Sequence, residues 1–403
     1  MRPLRILMLA PEPFFEPRGT PFSEYHRIRA LTELGHSVDL VTYPFGADVA
    51  LPNLRIVRTA RPPFATHVPI GPSVTKLILD VFLAVTAWRQ SRRATYDFVH
   101  SHEEAGVLGV LLSRSLGVPH LYDMHSSLPQ QLTNFRFARS RVLRWVFQKV
   151  EDASVFGSDV VVTICQDLQD HVEGMGAGER AVLIENVMGG DVEEPPALSA
   201  AFVRRHWGID PAAPLVLYTG TFEPYQGLEM LLDAAAILAK TRPDVRLLVV
   251  GGRPEQLEAG RRHAAEAGAP AIFTGHQPAR DIPAFVEAAD ILASPRIAGT
   301  NTPLKIYSYL RAGKPIVATD LLTHTQVLDR DTAVLVAPEP VAFAAALEQL
   351  LADPARRNAL ARAAAERARI RYSREMYISR TRLVCDRLTA AGFRARVPAV
   401  PPA

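Results

Sequence analysis

The chain contains 403 residues, which is too long for one ordinary hydrophobic core and predicts two or three domains. Hydrophobic residues make up 48% of the sequence and charged residues 22%, a balance typical of globular proteins that excludes a disordered chain. A net charge of +3, with no basic run interleaved with aromatic residues, disfavours a nucleic-acid partner.

Cysteine usage and hydropathy favour a cytoplasmic protein. Cys165 and Cys385 lie far apart, and neither belongs to a metal-type Cys/His spacing, as expected in a reducing compartment. The apolar start of the chain is interrupted by Pro11 and Pro13, so we interpret it as a first buried strand and not as a signal peptide. No run reaches the ~18 apolar residues of a membrane span.

The first half of the chain alternates short apolar runs with amphipathic stretches. The apolar runs predict strands at 5–10, 37–43, 53–58, 98–102, 119–124, 160–164 and 181–184. The amphipathic stretches predict helices at 22–34, 74–93, 105–116 and 143–155. Strands that alternate with helices indicate a parallel sheet with both faces covered.

The second half repeats this pattern after a break at 193–196, where two glutamates precede two prolines. We expect strands at 215–218, 245–250, 271–273, 290–293, 316–319 and 334–336. Helices are expected at 228–240, 255–267 and 281–289, from Pro303 to Gly313, and at 340–351 and 354–372.

The predicted organisation is therefore α/β, with two doubly wound Rossmann-like domains facing each other across a cleft. The domains are 1–195 and 196–372, and a last helix at 373–391 is expected to pack back on the first domain. We expect the tail at 392–403 to be disordered. Ligands of such folds bind at the carboxyl ends of the strands.

The stretch 294–320 runs from a strand through a polar loop into a helix and a second strand. Its loop carries Arg296, Asn301, Thr302 and Lys305, which can hold a charged, hydroxylated ligand. The alternative is an ordinary βαβ connection with a solvated loop. Neither half contains G-x-G-x-x-G or G-x-x-x-x-G-K-[ST], which disfavours a nicotinamide dehydrogenase and a P-loop ATPase.

Seven segments in chain order carry a resemblance to a known family. They are Pro17-Arg18-Gly19-Thr20-Pro21 before Glu24, Leu34-Gly35-His36-Ser37-Val38, Asp97-Phe98-Val99-His100-Ser101-His102, Leu121-Tyr122-Asp123-Met124-His125, Thr219-Gly220-Thr221 with Gln226-Gly227, Val249-Val250-Gly251-Gly252 with Phe273-Thr274-Gly275-His276, and Pro303-Leu304-Lys305 with Gly313-Lys314-Pro315. With these segments the chain resembles the GT-B fold glycosyltransferases of family 4, which are retaining, use nucleotide sugars and need no metal.

The resemblance implies the site residues. The catalytic candidates are His125, Glu24 and His102, and Glu103 is a weaker one. The donor-binding candidates are Gly19, Thr20, Thr221, Gln226, Gly251, Gly252, Gly275, His276, Arg296, Asn301, Thr302, Pro303, Leu304, Lys305 and Ser308. Gly19 and Thr20 open a helix, whose N–H groups and positive end favour a phosphate, although a tight turn alone would also need glycine.

The chain departs from the family where charges usually hold the donor. The Arg and Lys that follow the first strand of the second domain are replaced by Thr221 and Gln226, and the paired glutamates by Thr300 and Ser308. We expect Arg296 and Lys305 to supply the displaced positive charge.

The implied reaction is retaining transfer of a sugar from a nucleotide-diphosphate donor to an acceptor hydroxyl, without cofactor or metal. The setting is the synthesis of cell-envelope polysaccharide or glycolipid, with a saccharide or lipid-linked acceptor. The alternatives are a nucleotide-sugar epimerase of this fold and an inactive binding subunit. A phosphorylase would need a cofactor lysine site, and none is identifiable in this sequence. The apolar helix 74–88 and basic clusters at 89–93 and 136–144 suggest peripheral contact with the membrane, or simply a covered sheet and solvated helix faces.

Overall fold

A computed structural model describes residues 2–16, 19–68, 73–129, 141–186 and 197–390. It divides the chain into two compact units, one made of Met1–Glu185 with Arg374–Ala403 and the other of Asn186–Ser373. The first unit thus ends ten residues before the predicted boundary at 195, and residues 374–390 belong to it. The predicted linker at 193–196 and the predicted disordered tail lie outside the described residues.

The first unit is built on a seven-stranded parallel sheet with the order β3-β2-β1-β4-β5-β6-β7. Its strands are β1 Arg5–Ala10, β2 Ser37–Thr42, β3 Leu54–Arg58, β4 Phe98–His102, β5 His120–Met124, β6 Val160–Thr163 and β7 Ala181–Leu183. Its helices are α1 Gly19–Glu33, α2 Val74–Ser91, α3 Gly106–Leu116, α4 Arg141–Gly157 and α5 Gln166–Gly174, and the last helix of the chain, Arg374–Ala390, completes it.

The second unit is built on a six-stranded parallel sheet with the order β10-β9-β8-β11-β12-β13. Its strands are β8 Leu215–Thr219, β9 Arg246–Val250, β10 Ala271–Gly275, β11 Ile291–Ser294, β12 Ile316–Thr319 and β13 Val334–Val336. Its helices are α6 Ala200–His206, α7 Leu228–Ala239, α8 Pro254–Ala267, α9 Ile282–Ala288, α10 Lys305–Arg311, α11 Leu322–Thr325, α12 Pro340–Ala352 and α13 Pro354–Arg371; the last helix, Arg374–Ala390, is therefore α14.

The central strands are short apolar runs because both faces of each sheet are buried. Every residue of β8 is buried, because helices pack on both faces of the sheet and no face is left for polar side chains. Leu217 and Leu248 belong to the core on one face, and Val216 and Leu247 to the core on the other. The alternation along each strand sends neighbouring residues to opposite cores. The predicted pair of parallel α/β sheets is confirmed.

Both sheets reverse their strand order at one point. In the first unit this switch lies between β1 and β4, and in the second between β8 and β11. Connections leave in opposite directions at a switch, so a crevice opens beyond the carboxyl ends of these strands. Ligand-binding residues are therefore expected after Ala10, His102, Thr219 and Ser294.

Two predicted helix starts differ from the structure. Helix α1 begins at Gly19 instead of residue 22, which draws Gly19 and Thr20 into its first turn. Helix α10 begins at Lys305 instead of Pro303, because the preceding turn is closed by short-range bonds from Ile306 N to the Pro303 carbonyl and from Tyr307 N to that of Leu304. None of the helices in the described part of the chain is long and apolar enough to cross a membrane.

Candidate active site

Three histidines and one carboxylate meet at the switch point of the first unit. His100 and His102 project from the same face of β4, two residues apart, and Asp123 stands opposite His102 on neighbouring β5. His125 follows the end of β5. Its Nε2 lies 3.1 Å from His102 Nδ1 and 3.4 Å from Asp123 Oδ1, while His100 Nε2 is 3.4 Å from Asp123 Oδ2. We call these four residues the histidine cluster.

The histidine cluster is buried, and one arginine sets its charge. Burial would by itself raise the pKa of Asp123, but Arg27 and the nearby histidines outweigh burial and hold that pKa well below its usual range. The Arg27 guanidinium donates from Nε to Asp123 Oδ2 at 2.9 Å. Burial lowers the pKa of His125 to about 4 and lowers that of His102 as well. At neutral pH the cluster therefore contains neutral imidazoles beside an ionised carboxylate.

Glu24 reaches the histidine cluster from α1. Its side chain is fully buried, and neither carboxyl oxygen has a hydrogen-bond partner among the described residues. Its Oε1 lies 3.9 Å from His102 Nδ1. Burial, reinforced by the charges of Asp123 and Glu103, raises the pKa of Glu24 well above its ordinary value. Below that raised pKa, Glu24 is a neutral acid that can donate a hydrogen bond to a substrate oxygen.

Glu103 follows β4 directly and has a strained backbone. Its φ of +47° lies in the left-handed region, which a glutamate seldom occupies and which in proteins is concentrated at functional sites. Its Oε2 accepts a hydrogen bond of 2.9 Å from Ser126 Oγ, in the loop after β5. Burial and the neighbouring Glu104 raise the pKa of Glu103 to about 8. Strain and burial together make Glu103 a stronger candidate than its sequence context indicated.

Gly19 and Thr20 form the first turn of α1. Gly19 has a φ of +54°, and a Cβ at this position would meet no atom within 4 Å, so open space lies beside the helix start. Thr20 is half-buried. Arg18, which precedes them in sequence, lies outside the described residues.

Two basic side chains meet at the switch point of the second unit. Lys305, the first residue of α10, donates from Nζ to the carbonyl of Thr219 at 3.1 Å, and its Nζ lies 4.0 Å from the centre of the Tyr218 ring. Arg296, in the loop after β11, donates from Nη1 to the Asn301 carbonyl at 2.6 Å. Its guanidinium carbon lies 5.2 Å from the centre of the Tyr225 ring. We call Lys305 and Arg296 the cation pair.

The cation pair has no acidic partner among the described residues, and the contacts of both side chains are to carbonyls, a hydroxyl and tyrosine rings. Arg296 Nε is buried without a hydrogen-bond partner in the described part of the chain. Burial and the positive charge of Arg296 lower the pKa of Lys305 well below its ordinary value. Two cations that repel each other in a partly dry site form a preorganised position for an anion.

A polar network that the sequence did not reveal holds Arg296 in place. His324 Nε2 is 2.8 Å from Ser294 Oγ at the end of β11, and its Nδ1 is 2.9 Å from the Thr319 carbonyl at the end of β12. Thr319 Oγ1 donates to the Arg296 carbonyl, and Thr323 Oγ1 accepts from Arg296 Nη1 at 2.7 Å. The hint in the sequence was a histidine and threonines placed just after the carboxyl ends of two strands.

Gly251 and Gly252 follow β9 and are required by packing. Their φ values are +119° and +82°. A Cβ on Gly251 would overlap the Gly220 carbonyl, and a Cβ on Gly252 would overlap the ring of Phe222. The two glycines thus let the loop after β8 fold down onto the end of β9. Gly275 ends β10 with a φ of +74° and accepts a hydrogen bond from Gly251 N, and the adjacent His276 is exposed.

The other predicted donor residues lie in the loops after β8 and β11 and, for Ser308, in α10. Thr221 is exposed, and its carbonyl accepts a hydrogen bond of 2.7 Å from the Tyr218 hydroxyl. Gln226 is half-buried in the short turn that precedes α7. Thr302 Oγ1 is buried without a hydrogen-bond partner in the described residues. Pro303 is buried, and the remaining predicted residues are half-buried: Asn301, Leu304 and Ser308.

Each unit thus presents a chemically distinct set of groups. The first unit offers neutral histidines and protonatable carboxyls, which can exchange hydrogen bonds with hydroxyl groups. The second offers an unneutralised cation pair, which can take up an anion. Many of these groups lie in loops, and the buried strand ends next to those loops fix their positions.

Comparison with known proteins agrees with this division. The family described as "Glycosyl transferase 4-like domain" matches residues 25–186, and that described as "Glycosyl transferases group 1" matches residues 213–353. A phosphatidyl-myo-inositol mannosyltransferase of Mycobacterium leprae is 28% identical over 400 residues, which cover 98% of this chain and 100% of the relative. A D-inositol 3-phosphate glycosyltransferase of Corynebacterium urealyticum is 28% identical over 379 residues, covering 86% of this chain and 85% of the relative.

Solved structures show the same architecture. The sucrose-phosphate synthase of Thermosynechococcus elongatus superposes with a TM-score of 0.78 at 21% identity, covering 96% of this chain and 100% of its own. The Anabaena protein HepE in complex with UDP and glucose superposes with a TM-score of 0.72 at 17% identity, covering 96% of this chain and 100% of its own.

Proposed function

Because the chain belongs to the group 1 glycosyltransferases, has the GT-B fold and is a hexosyltransferase, we propose that it moves a hexose from a nucleotide-diphosphate sugar to an acceptor hydroxyl with retention at the anomeric carbon. The donor diphosphate binds the second unit, and the acceptor hydroxyl is handled by the first. The synthesis of an envelope glycolipid or polysaccharide is the expected setting.

The cation pair is the observation that carries this proposal. Lys305 and Arg296 lie at the carboxyl end of β8 and β11, where doubly wound folds bind ligands. No described carboxylate pairs with either of them, so no acidic side chain in the described part of the chain neutralises the positive charge of this half-buried pair. A diphosphate can supply that negative charge. HepE, a protein of the same fold, was solved in complex with UDP.

The same two side chains account for leaving-group departure. As the bond between the anomeric carbon and the donor oxygen breaks, negative charge grows on the diphosphate. Arg296 and Lys305 would stabilise that charge more strongly than they stabilise the bound donor, which lowers the barrier. We propose that these cations supply the positive charge that a divalent metal could otherwise provide at the diphosphate, and that transfer proceeds without a metal.

On the acceptor side, we propose that His125 and Glu24 orient the reacting region. Burial holds His125 neutral, and burial together with neighbouring negative charge raises the pKa of Glu24 and so favours its protonated form. A neutral imidazole and a carboxyl group can both exchange hydrogen bonds with a sugar hydroxyl. Glu103, fixed by Ser126 and by its strained backbone, adds a carboxyl on the same strand end.

We propose that the acceptor is presented at an anionic membrane surface. Helix α2 exposes a row of apolar residues on one face, with Leu77 66% exposed and Trp88 52% exposed. Arg92 stacks on Trp88, and Arg89 lies in the last turn of the helix. Helix α4 likewise exposes Trp145, next to the exposed Arg144 in the sequence. Apolar faces flanked by arginines fit a bilayer that contains anionic lipid, and the relative from M. leprae is named a phosphatidyl-myo-inositol mannosyltransferase.

The donor half of the proposal is tested with a panel of UDP-, GDP- and ADP-hexoses by thermal shift and calorimetry. One nucleotide series should raise the unfolding temperature, since a ligand that binds only the native state stabilises it. Arg296→Met should abolish the shift. The control Arg242→Met removes an arginine in the same unit that pairs with Asp244, and it should leave the shift intact. If Arg296→Met responds to the panel as the unmodified chain does, the cation pair is not the donor site.

A further inference from the structure

A continuous chain of contacts connects the C-terminal helix to the histidine cluster. The Arg27 guanidinium donates from Nη1 to Thr381 Oγ1 at 3.2 Å, and its Cζ lies 4.9 Å from the centre of the Tyr377 ring. Both residues belong to α14. Arg27 Nε binds Asp123 Oδ2 at 2.9 Å, and Asp123 Oδ1 lies 3.4 Å from His125 Nε2. Three elements that are distant in sequence, α1, β5 and α14, thus meet at one buried arginine.

We propose that Arg27 and Asp123 are positioning residues for His125, and that helix α14 sets their geometry through Thr381 and Tyr377. The proposal rests on the proposed function only in treating His125 as a reacting-site residue. The geometry itself and the NMR titration below need no substrate.

The two oxygens of Asp123 have separate tasks in this arrangement. Arg27 occupies Oδ2, and Oδ1 has no hydrogen-bond partner within normal distance among the described residues. An ionised oxygen next to His125 Nε2 favours the tautomer in which that nitrogen carries the proton. His125 Nδ1 is then left as the acceptor nitrogen, and the ring is restrained against rotation. Asp123 can do this only while Arg27 neutralises it in the dry interior.

Removal of the guanidinium should therefore change the charge state of His125. A buried carboxylate without its cation must acquire a proton or a protonated neighbour. Imidazole is a stronger base than carboxylate, so the proton should rest on a histidine. Asp123 already raises the pKa of His125, whereas Arg27 lowers it. The charged or titratable groups that act on His125 are Arg27 from α1, His100 and His102 from β4, and Asp123 from β5. Glu24 from α1 lies next to one of them, with Oε1 3.9 Å from His102 Nδ1.

The experiment is an NMR pH titration of the full chain labelled with ¹⁵N-histidine, with the His125 resonance assigned by His125→Gln. In the unmodified chain His125 should stay neutral down to about pH 4. In Arg27→Met its proton affinity should rise roughly 10-fold or more, since a close opposite charge that is no longer compensated has effects of that size. An unchanged His125, or a change confined to His100, overturns the proposal.

The matched control is Arg29→Met on the same helix. Arg29 is also buried and pairs with Glu33, with Nε and Oε1 3.0 Å apart, so its loss tests general disturbance of α1. This variant should leave the His125 titration in place. Arg27→Lys keeps the charge and should restore most of the unmodified titration.

A second variant keeps the proposal testable if Arg27→Met does not fold. Tyr377→Leu combined with Thr381→Val removes both α14 contacts to Arg27 without burying an unpaired charge. The His125 proton affinity should rise by a smaller but measurable factor, and identical titrations in the double variant and the unmodified chain would refute the role of α14. With donor turnover available, kcat of Arg27→Met should fall more at pH 6 than at pH 8, which a purely structural defect would not produce.

Discussion

Replacing Lys305 by methionine should produce opposite effects on nucleotide binding and on stability. Methionine keeps the length and apolar stem of the side chain but removes the amine that donates to the Thr219 carbonyl and lies over Tyr218. A hydrogen bond between a charged donor and a phosphate contributes about 1.5–3 kcal/mol. The Kd for the matching nucleoside diphosphate should therefore rise roughly 10- to 150-fold.

The protonation of Lys305 gives the same variant a second signature. Because burial and Arg296 lower its pKa, the amine gives up its proton more readily than an ordinary lysine before the anion arrives. A bound diphosphate favours the charged form and raises that pKa, so binding should take up protons. Calorimetry in two buffers with different ionisation enthalpies measures this uptake, and Lys305→Met should abolish it.

The lowered pKa of Lys305 also affects the stability of the fold. Because the folded state binds fewer protons at Lys305 than the unfolded state does, the charged amine lowers the free energy of unfolding at neutral pH. This cost disappears as the pH rises towards the pKa of an ordinary lysine. Lys305→Met should thus raise the unfolding temperature at pH 7 while weakening nucleotide binding.

Lys314→Met is the matched control for this prediction. Lys314 lies in the same unit and also donates to backbone carbonyls, those of Glu287 at 3.0 Å and Ala289 at 2.8 Å. It should leave affinity and proton uptake unaltered. Equal nucleotide affinities for Lys305→Met and the unmodified chain would refute the assignment of Lys305 to the diphosphate.

Three further outcomes are expected. Glu24→Gln should be more stable than the unmodified chain in urea unfolding, by a margin that grows as the pH rises above the ordinary glutamate pKa. The reason is that the raised pKa makes the unmodified protein lose stability over that range. A margin independent of pH would contradict the burial of an unpaired carboxyl. Gly251→Ala should cost at least about 2 kcal/mol of unfolding free energy, since its Cβ would overlap a backbone carbonyl at positive φ, whereas Gly19→Ala, with open space around it, should cost less. Leu77→Ser should weaken sedimentation with vesicles containing anionic lipid without changing the unfolding temperature. Ile370→Ser, at another exposed apolar position in the second unit, should leave sedimentation unchanged, and equal effects of the two variants would refute α2 as the membrane face.

The sequence predicted the sheets well because their signal is local. Runs such as 215–218 and 316–319 are apolar, short and bounded by turn residues, so burial on both faces follows from composition alone. Helix ends were less predictable. Pro303 marks a turn that could begin a helix, but the following bonds close it as a tighter turn, and α10 starts at Lys305.

The sequence predicted candidate site residues only where a polar residue directly follows a predicted strand. His102, His125 and Arg296 each follow an apolar run, and their polarity there pointed to a ligand. The roles of Arg27 and Asp123 were not visible, because their contact spans 96 residues and the contact to Thr381 spans 354. Spacing in one sequence carries no information about such distant pairs. Gly251 and Gly252 were expected to admit a nucleotide, and the structure also assigns them a packing task against Gly220 and Phe222.

The central claim is hexosyl transfer from a nucleotide sugar, and the most direct measurement follows a labelled hexose. The full chain is incubated with each nucleotide sugar, a chelator of divalent ions and vesicles of bacterial lipid extract, and label is traced in lipid, free sugar and remaining donor. We expect one donor to pass label to a lipid or saccharide, with the anomeric configuration of the donor retained in the product. Isomerised donor without transfer would indicate an epimerase. Donor binding with no transfer across the panel would indicate an inactive binding subunit, and either result would contradict the account.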